Sequence, residues 1–151
     1  GDVTYLDFLL KYKIKTDKIH MFNYGLFTEN KNLKFYKPTN SDYVSHSVVP
    51  GMKGDDFINV EVKKLTTIMK ELNHANIGLL KIDIEGCECD VLEQMIEEKI
   101  FPKYLSVDFD LGWTGEKIRD RDRCIRTINL LKKNGYKLLH NNGADYSFQR
   151  I

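Results

Sequence analysis

Apolar and polar positions along the chain follow a helical period in some segments and a strand period in others. Apolar residues at helical spacing predict helices over residues 3–13, 65–72, 88–99 and about 116–134. Apolar runs and two-residue alternation predict strands over residues 19–27, 33–36, 57–62, 77–84, 104–109, 136–140 and 146–148. Strands that alternate with helices are typical of an α/β domain, so we expect a mostly parallel sheet.

Turn residues predict two antiparallel pairs within this arrangement. Residues 19–27 and 33–36 flank a polar turn and are expected to form a hairpin. Residues 136–140 and 146–148 flank an Asn-Asn-Gly turn, which predicts a C-terminal antiparallel hairpin. Residues 41–56 have no clear period and are predicted to form a long loop, a feature that is often functional in compact domains.

The segment over residues 79–88 (LLKIDIEGCE) is an apolar strand that ends in acids and a glycine. Ligands of open α/β sheets bind at the carboxyl ends of such strands. Asp83 and Glu85 project to the same side if the strand continues, because alternate residues share a face. This pattern favours a role in a site for Asp83. Glu85 and Glu88 each suit either a site or the capping of the next helix.

Composition narrows the class of protein. The chain has 151 residues, of which 42% are hydrophobic and 30% charged, as expected for one ordinary globular domain. A formal charge of +1 gives no reason to expect nucleic acid or an anionic membrane as a partner. The residues before the first predicted strand do not resemble a secretory signal, and no run approaches the roughly 20 apolar residues of a membrane span.

The three cysteines, Cys87, Cys89 and Cys124, are odd in number and form no CxxC pair. This argues against a disulfide framework and a zinc site, and it predicts a reducing compartment such as the cytoplasm. Cysteines that pack as small residues are favoured over a nucleophilic cysteine, because no histidine lies near Cys87 or Cys89 in the sequence.

Three further residues are candidates for acid, base or metal chemistry. His46 lies between two serines in the predicted long loop and has the side chain best suited to proton transfer near neutral pH. Asp108 and Asp110 end the strand after Asp83, and carboxylates from two strands would suit a divalent metal. The Asp108-x-Asp110 pattern also looks like the DxD by which glycosyltransferases hold a metal and a nucleotide sugar.

The segment over residues 79–88 resembles the LLK(I/M)DIEGaE signature of the FkbM-type methyltransferases. Further segments that agree with the family in order are residues 24–26 (YGL), 44–47 (VSHS), 62–65 (VKKL) and 142–148 (NGADYSF). The resemblance covers nearly all of the chain. It implies a Rossmann-like methyltransferase fold, S-adenosylmethionine as cofactor, and methylation of an oxygen on a small polar acceptor such as a sugar.

Two departures from the family pattern affect this expectation. The cofactor-binding glycine motif of the family would lie upstream of residue 1, so residues 1–151 are expected to form a single but N-terminally incomplete domain. Asp2 would then correspond to the acid that holds the ribose. Residues 107–110 (VDFD) stand where the family more often has an E-F-H-like strand end, so Asp110 replaces a histidine. This replacement predicts a changed or lost active site.

The sequence therefore predicts a methyltransferase-like domain that acts on a small molecule, and a divalent metal remains an option. The candidate catalytic residues are Asp83, Glu85, His46, Asp108 and Asp110, and the candidate cofactor-binding residues are Asp2 and Asp83. Two alternatives stay open: a metal-dependent glycosyltransferase and a non-catalytic interaction module. A missing strand would leave an open sheet edge, through which self-association is expected.

Overall fold

The computed structural model describes residues 19–36, 57–84, 86–109 and 121–151. This part of the chain contains three helices: α1 (Leu65–Glu71), α2 (Glu88–Glu97) and α3 (Arg121–Lys133). It also contains seven strands: β1 (Gly25–Leu26), β2 (Lys31–Tyr36), β3 (Phe57–Lys63), β4 (Leu79–Ile82), β5 (Tyr104–Asp108), β6 (Tyr136–Asn142) and β7 (Asp145–Arg150). The helix predicted over residues 3–13 and the loop predicted over 41–56 lie outside the described residues.

The strands form two mixed sheets. One sheet has the order β1-β3-β2 and the other has the order β4-β5-β7-β6. β1/β3 and β4/β5 pair in parallel, whereas β2/β3, β5/β7 and β6/β7 pair antiparallel. The α/β class is confirmed, but the expectation of a mostly parallel sheet is wrong for these strands. Parallel neighbours need a long crossover, and in the larger sheet the β4–α2–β5 connection supplies the crossover for its one parallel pair.

The smaller sheet corrects the hairpin predicted for residues 19–36. β3 lies between β1 and β2, with Leu26 opposite Lys63 on one side and Leu33 opposite Val60 on the other. Instead of closing a hairpin, the polar turn after β1 forms hydrogen bonds with the start of α1. The Asn30 side-chain oxygen accepts a hydrogen bond from the Lys64 backbone N–H (2.9 Å), and its amide group donates to the Thr67 hydroxyl (2.9 Å), at the start of α1.

The C-terminal antiparallel hairpin of β6 and β7 is confirmed. A two-residue turn joins the strands, and its first residue, Gly143, has a φ of 72°, which suits a type II′ turn. The register shifts between Leu138 and His140, which marks a bulge in β6. Gly135, with a φ of 81°, ends α3 as the sequence predicted.

The main core lies between α2, α3 and one face of the larger sheet. Its buried members include Ile82, Leu105, Val107 and Phe148 from the strands, Leu92 and Met95 from α2, and Ile128 and Leu131 from α3. Burial of each such side chain stabilises the fold by about 1.5–3 kcal/mol relative to full exposure. This layer therefore supplies much of the hydrophobic driving force for the described part of the chain.

The two core helices carry charges that suit their dipoles. α2 has Glu88 and Asp90 in its first turn, and α3 has Lys132 and Lys133 in its last turn. Both helices are amphipathic and direct most of their apolar residues into the core, although Ile125 of α3 is 47% exposed. None of the described helices is both long and apolar enough to span a membrane.

The opposite face of the larger sheet is polar and partly exposed. In-register pairs place Leu79 beside Tyr104 and Lys81 beside Ser106 on this face, and Ser147 of β7 pairs with Ser106. Leu79 is 64% exposed and Tyr104 is 37% exposed. The larger sheet thus has one covered face and one open face, each defined by alternate residues of the same strands.

β4 is the terminal strand of the larger sheet within the described part of the chain. Of its three apolar residues, Leu80 and Ile82 join the core, whereas Leu79 is 64% exposed. An edge strand offers unpaired backbone groups to a further strand. Self-association through such an edge remains a prediction.

Candidate active site at the carboxyl edge of the larger sheet

The junction between β4 and α2 is a tight turn that follows the acidic end of the strand. Gly86 has a φ of 109°, in a region that side-chain-bearing residues rarely adopt. This glycine allows the chain to reverse between Asp83 and the first turn of α2. The requirement explains why a glycine follows the acids in the sequence.

The buried side chain of Glu88 stabilises this turn. Glu88 is only 4% exposed. One carboxylate oxygen, Oε1, accepts hydrogen bonds from the backbone N–H groups of Ile84 (3.1 Å) and Gly86 (2.9 Å). The sequence left site and capping roles open for Glu88, and these two bonds give it a structural role at the start of α2.

Asp83 has the opposite environment. Its side chain is 54% exposed, and its Oδ2 atom lies 3.3 Å from the ammonium nitrogen of Lys81, which is 52% exposed. An ion pair in such solvent contact contributes little to stability. The Asp83 carboxylate is therefore accessible to a ligand.

Asp108 lies beside the position of Asp83 at the same edge of the sheet. Ile82 pairs with Val107 in the parallel β4/β5 register, so the next residue of each strand follows at the carboxyl edge. Two acids that are 25 positions apart in the sequence thus come to adjacent strand ends. Adjacent carboxyl ends are where ligands of α/β sheets bind.

Asp145 extends this row of acids, although the sequence analysis did not single it out. It pairs with Asp108 across the antiparallel β5/β7 ladder, and Asn142 pairs with Asp145 across β6/β7. Across the sheet, in the strand order β4, β5, β7 and β6, this edge therefore carries Asp83, Asp108, Asp145 and Asn142. Residues 142–148 resemble the family pattern, but no local pattern in the sequence indicates that Asp145 faces Asp108.

Four of the predicted site residues lie outside the described part of the chain: Asp2, His46, Glu85 and Asp110. Their roles stay predictions. Within the described residues, no group of three or more acidic, histidine or cysteine side chains is arranged to hold a metal ion. Asp83 and Asp108 alone do not form a complete cage for a divalent cation.

A second polar cluster joins α2 to α3. The Arg123 guanidinium contacts Asp90 Oδ1 (2.7 Å) and Glu93 Oε2 (2.7 Å), and the Thr127 hydroxyl donates to Glu93 Oε1 (2.8 Å). Burial alone would raise the pKa of Glu93, but the hydrogen bonds from Arg123 and Thr127 outweigh it and hold that pKa below its ordinary value. Because these groups are satisfied by one another, the cluster connects the helices.

An open groove of about 460 Å³ lies on the smaller sheet, away from the acidic edge. It is lined by Asn30, Lys31, Asn32, Glu61, Val62, Lys63, Thr67 and Glu71. Several of its polar groups pair with each other: Lys63 lies 2.7 Å from Glu71 and 3.6 Å from Glu61. Neither Asp83 nor Asp108, the predicted site residues that the structure describes, lines the groove, and its internal ion pairs leave it a weaker candidate than the acidic edge.

Comparison with known families gives a match over most of the chain. The model of the methyltransferase FkbM domain matches residues 10–138, which is most of the chain. The chain belongs to the FkbM methyltransferase domain family. No curated protein and no solved structure gave a match.

The match to the FkbM domain confirms the resemblance drawn from residues 79–88. It spans β1 to the first residues of β6, and it includes both Asp83 and Asp108. Asp145 lies beyond the matched residues. The FkbM family supports methyl transfer as the general chemistry, whereas the cofactor and the acceptor have to be inferred from the site.

Proposed function

We propose that this FkbM domain transfers a methyl group from S-adenosylmethionine to an oxygen atom of a small polar acceptor such as a sugar. The observation that carries the proposal is the register of β4 and β5, because it brings Asp83 and Asp108 to adjacent strand ends. S-adenosylmethionine supplies an electrophilic methyl group on a sulfonium when it is bound.

The donor chemistry of both molecules fits these carboxylates. Ammonium and hydroxyl groups donate hydrogen bonds, and ionised carboxylates are acceptors with two oxygens each. The exposed Asp83 is assigned to orient the acceptor hydroxyl and to take up its proton as the new C–O bond forms. Asp108, which is partly buried, is assigned to bind hydroxyl or ammonium groups beside it.

Lys81 and Glu88 support Asp83 in different ways. The Lys81 ammonium group lies 3.3 Å from Asp83 and balances its charge while the site is empty of substrate. Glu88 fixes the turn that follows Asp83, so the carboxylate leaves the strand in a defined direction. Positioning of this kind matters because methyl transfer requires the nucleophile and the methyl group to be aligned.

The first experiment is calorimetric titration of the chain with S-adenosylmethionine and S-adenosylhomocysteine, with and without magnesium. The expected result is micromolar binding, about 8 kcal/mol, without a need for magnesium. A nucleotide sugar with magnesium is titrated in parallel, and binding of that ligand alone would favour the glycosyltransferase alternative. No binding of any of these ligands would favour an incomplete cofactor site or a non-catalytic module.

Transfer itself is measured with S-adenosylmethionine labelled on the methyl group and a panel of sugars. Asp83→Asn should lower the transfer rate by about 10²–10⁴-fold, because the amide cannot take up the proton. Glu97→Gln, an exposed change near the far end of α2, is the matched control and should leave the rate unchanged. Equal rates for Asp83→Asn and the wild type would overturn the role of Asp83.

A further inference from the structure

Two cysteines on different helices have their sulfur atoms close together. Cys89 lies in the first turn of α2 and Cys124 in the first turn of α3. Their Sγ atoms are 3.7 Å apart, although 35 positions separate the residues in the sequence. A disulfide bond has a length of about 2.05 Å, so closure needs an approach of only about 1.7 Å.

We propose that Cys89 and Cys124 form a modification site, at which a low-molecular-weight disulfide such as glutathione disulfide creates a reversible cross-link between α2 and α3. The pair is reduced in this structure. Disulfides of reducing compartments are usually transient and redox-sensing, which fits a chain whose cysteines predicted no permanent framework.

The difference in exposure sets the order of the two steps. Cys124 is partly exposed, whereas Cys89 is 8% exposed, so the Cys124 thiolate attacks glutathione disulfide first. A mixed disulfide forms on Cys124, and one glutathione thiolate leaves and takes up a proton. The Cys89 thiolate then attacks the Cys124 sulfur, and the second glutathione leaves in the same way.

Atoms and electrons balance in this exchange. The two protein thiols lose two protons and two electrons and gain one S–S bond, while glutathione disulfide is reduced to two molecules of glutathione. Reduced glutathione in excess reverses both steps. The oxidant is therefore the only co-reactant that the modification needs.

The surroundings of Cys89 make the second step the slow one. Burial raises the pKa of the Cys89 thiol to about 12, the neighbouring Cys124 thiol acts in the same direction, and the Arg123 guanidinium acts against it. Few Cys89 thiolates exist at neutral pH, so the rate of ring closure should rise about tenfold for each unit of pH in the mildly alkaline range.

The cross-link would stiffen the region behind the acidic edge. Cys89 directly follows Glu88, the residue that holds the turn after Asp83. Joining this first turn of α2 to α3 closes a loop of about 36 residues, and loops of that length stabilise strongly when cross-linked. The oxidised chain should therefore have a Tm about 5–10 °C above that of the reduced chain.

The test is incubation of the whole chain with glutathione disulfide, followed by alkylation of free thiols, intact mass measurement and peptide mapping. The wild type should lose two alkylatable thiols and show a Cys89–Cys124 peptide, and Cys87→Ser, the matched control, should give the same cross-link. Cys89→Ser should stop at a glutathione adduct on Cys124.

Three outcomes would overturn the proposal. They are a wild type that keeps all three alkylatable thiols, one that accumulates the glutathione adduct without ring closure, and one whose cross-link involves Cys87. The peptide map of the wild type decides among these outcomes even where a serine variant folds poorly. The result is also independent of methyl transfer, because the readout is the bond itself.

Discussion

The two faces of the larger sheet differ more than their shared strands would suggest. On the covered face, Ile82 is 1% exposed and packs against the helices, while Leu79 on the open face of the same strand is 64% exposed. At the carboxyl edge of the sheet, acidic residues continue the open face, whereas the first turn of α2 follows the covered face. The same strand therefore contributes a buried residue to the core and leads to a carboxylate that is exposed to solvent.

The contrast is sharpest between Glu88 and Asp83. The Glu88 carboxylate is buried and accepts two backbone hydrogen bonds, whereas the Asp83 carboxylate is half exposed and pairs with one exposed lysine. A buried acid with backbone partners stabilises a turn, and an exposed acid at a strand end is available to a substrate. Sequence position alone did not separate the two roles.

The largest effect on stability should come from truncation of the covered face. Ile82→Ala should lower the free energy of unfolding by about 2–5 kcal/mol, because it removes buried methylene groups and leaves a cavity. Leu79→Ala, three residues earlier on the same strand, should cost less than about 1 kcal/mol. Urea titration measures both, and similar losses for the two variants would break the distinction between the faces.

A smaller loss should follow from removal of the Glu88 carboxylate. Glu88→Ala should cost about 2–3 kcal/mol, because the Ile84 and Gly86 N–H groups lose their shared acceptor. Glu88→Gln keeps one acceptor oxygen and should lose less. Asp83→Asn is the control and should change stability by no more than about 0.5 kcal/mol. Equal losses for Asp83→Asn and Glu88→Ala would mean that both acids are structural.

A single methyl group added at Gly86, in the turn between Asp83 and Glu88, should lower the stability of the fold. Gly86→Ala should cost about 1–3 kcal/mol, because the φ of 109° is strained for any residue with a Cβ. Gly78→Ala offers a matched control before β4, since a Cβ there would meet nothing within 4 Å. Thermal unfolding compares the two, and a fully stable Gly86→Ala variant would show that the turn adopts another conformation.

A further loss of stability, absent near neutral pH, should appear at alkaline pH on the covered side. Burial raises the pKa of Tyr136 to about 12, and its hydroxyl donates to the Pro102 carbonyl (2.8 Å). Burial also raises the pKa of Cys89 to about 12. Groups with raised pKa values stabilise the fold fully below their unfolded pKa values, and this contribution is lost as pH rises toward the folded values.

The denaturation midpoint should therefore fall between about pH 9 and 12. Tyr136→Phe has no phenol to ionise and should show a shallower fall across this range. An unchanged slope in Tyr136→Phe would assign the alkaline loss to other groups. Side chains on the open face should contribute little to this alkaline loss of stability, because they remain in contact with water.

Several elements followed directly from local sequence patterns. The helical spacing of residues 65–72 and 88–99 predicted α1 and α2 nearly to their observed ends. Gly135 and Gly143 marked the end of α3 and the β6–β7 turn, and both have positive φ angles. These features depend on neighbouring residues, which is why periodicity and turn chemistry were sufficient to find them.

Other features depended on which strands meet. The predicted hairpin after β1 was wrong because β3 lies between β1 and β2, and the mostly parallel sheet was wrong because β7 pairs antiparallel with β5. Nothing local in the sequence indicated either partner. Pairing over long separations is settled by the total burial and hydrogen bonding of the whole domain.

The sequence by itself determined the apolar alternation of β4, the acids at its carboxyl end and the glycine that turns the chain into α2. Strand order brought Asp108 beside Asp83 and Asp145 beside Asp108, and helix packing brought Cys124 within 3.7 Å of Cys89. The physical reason is range: propensity, periodicity and capping act within a few residues, whereas neighbours across a sheet or between helices exist only after the core has formed.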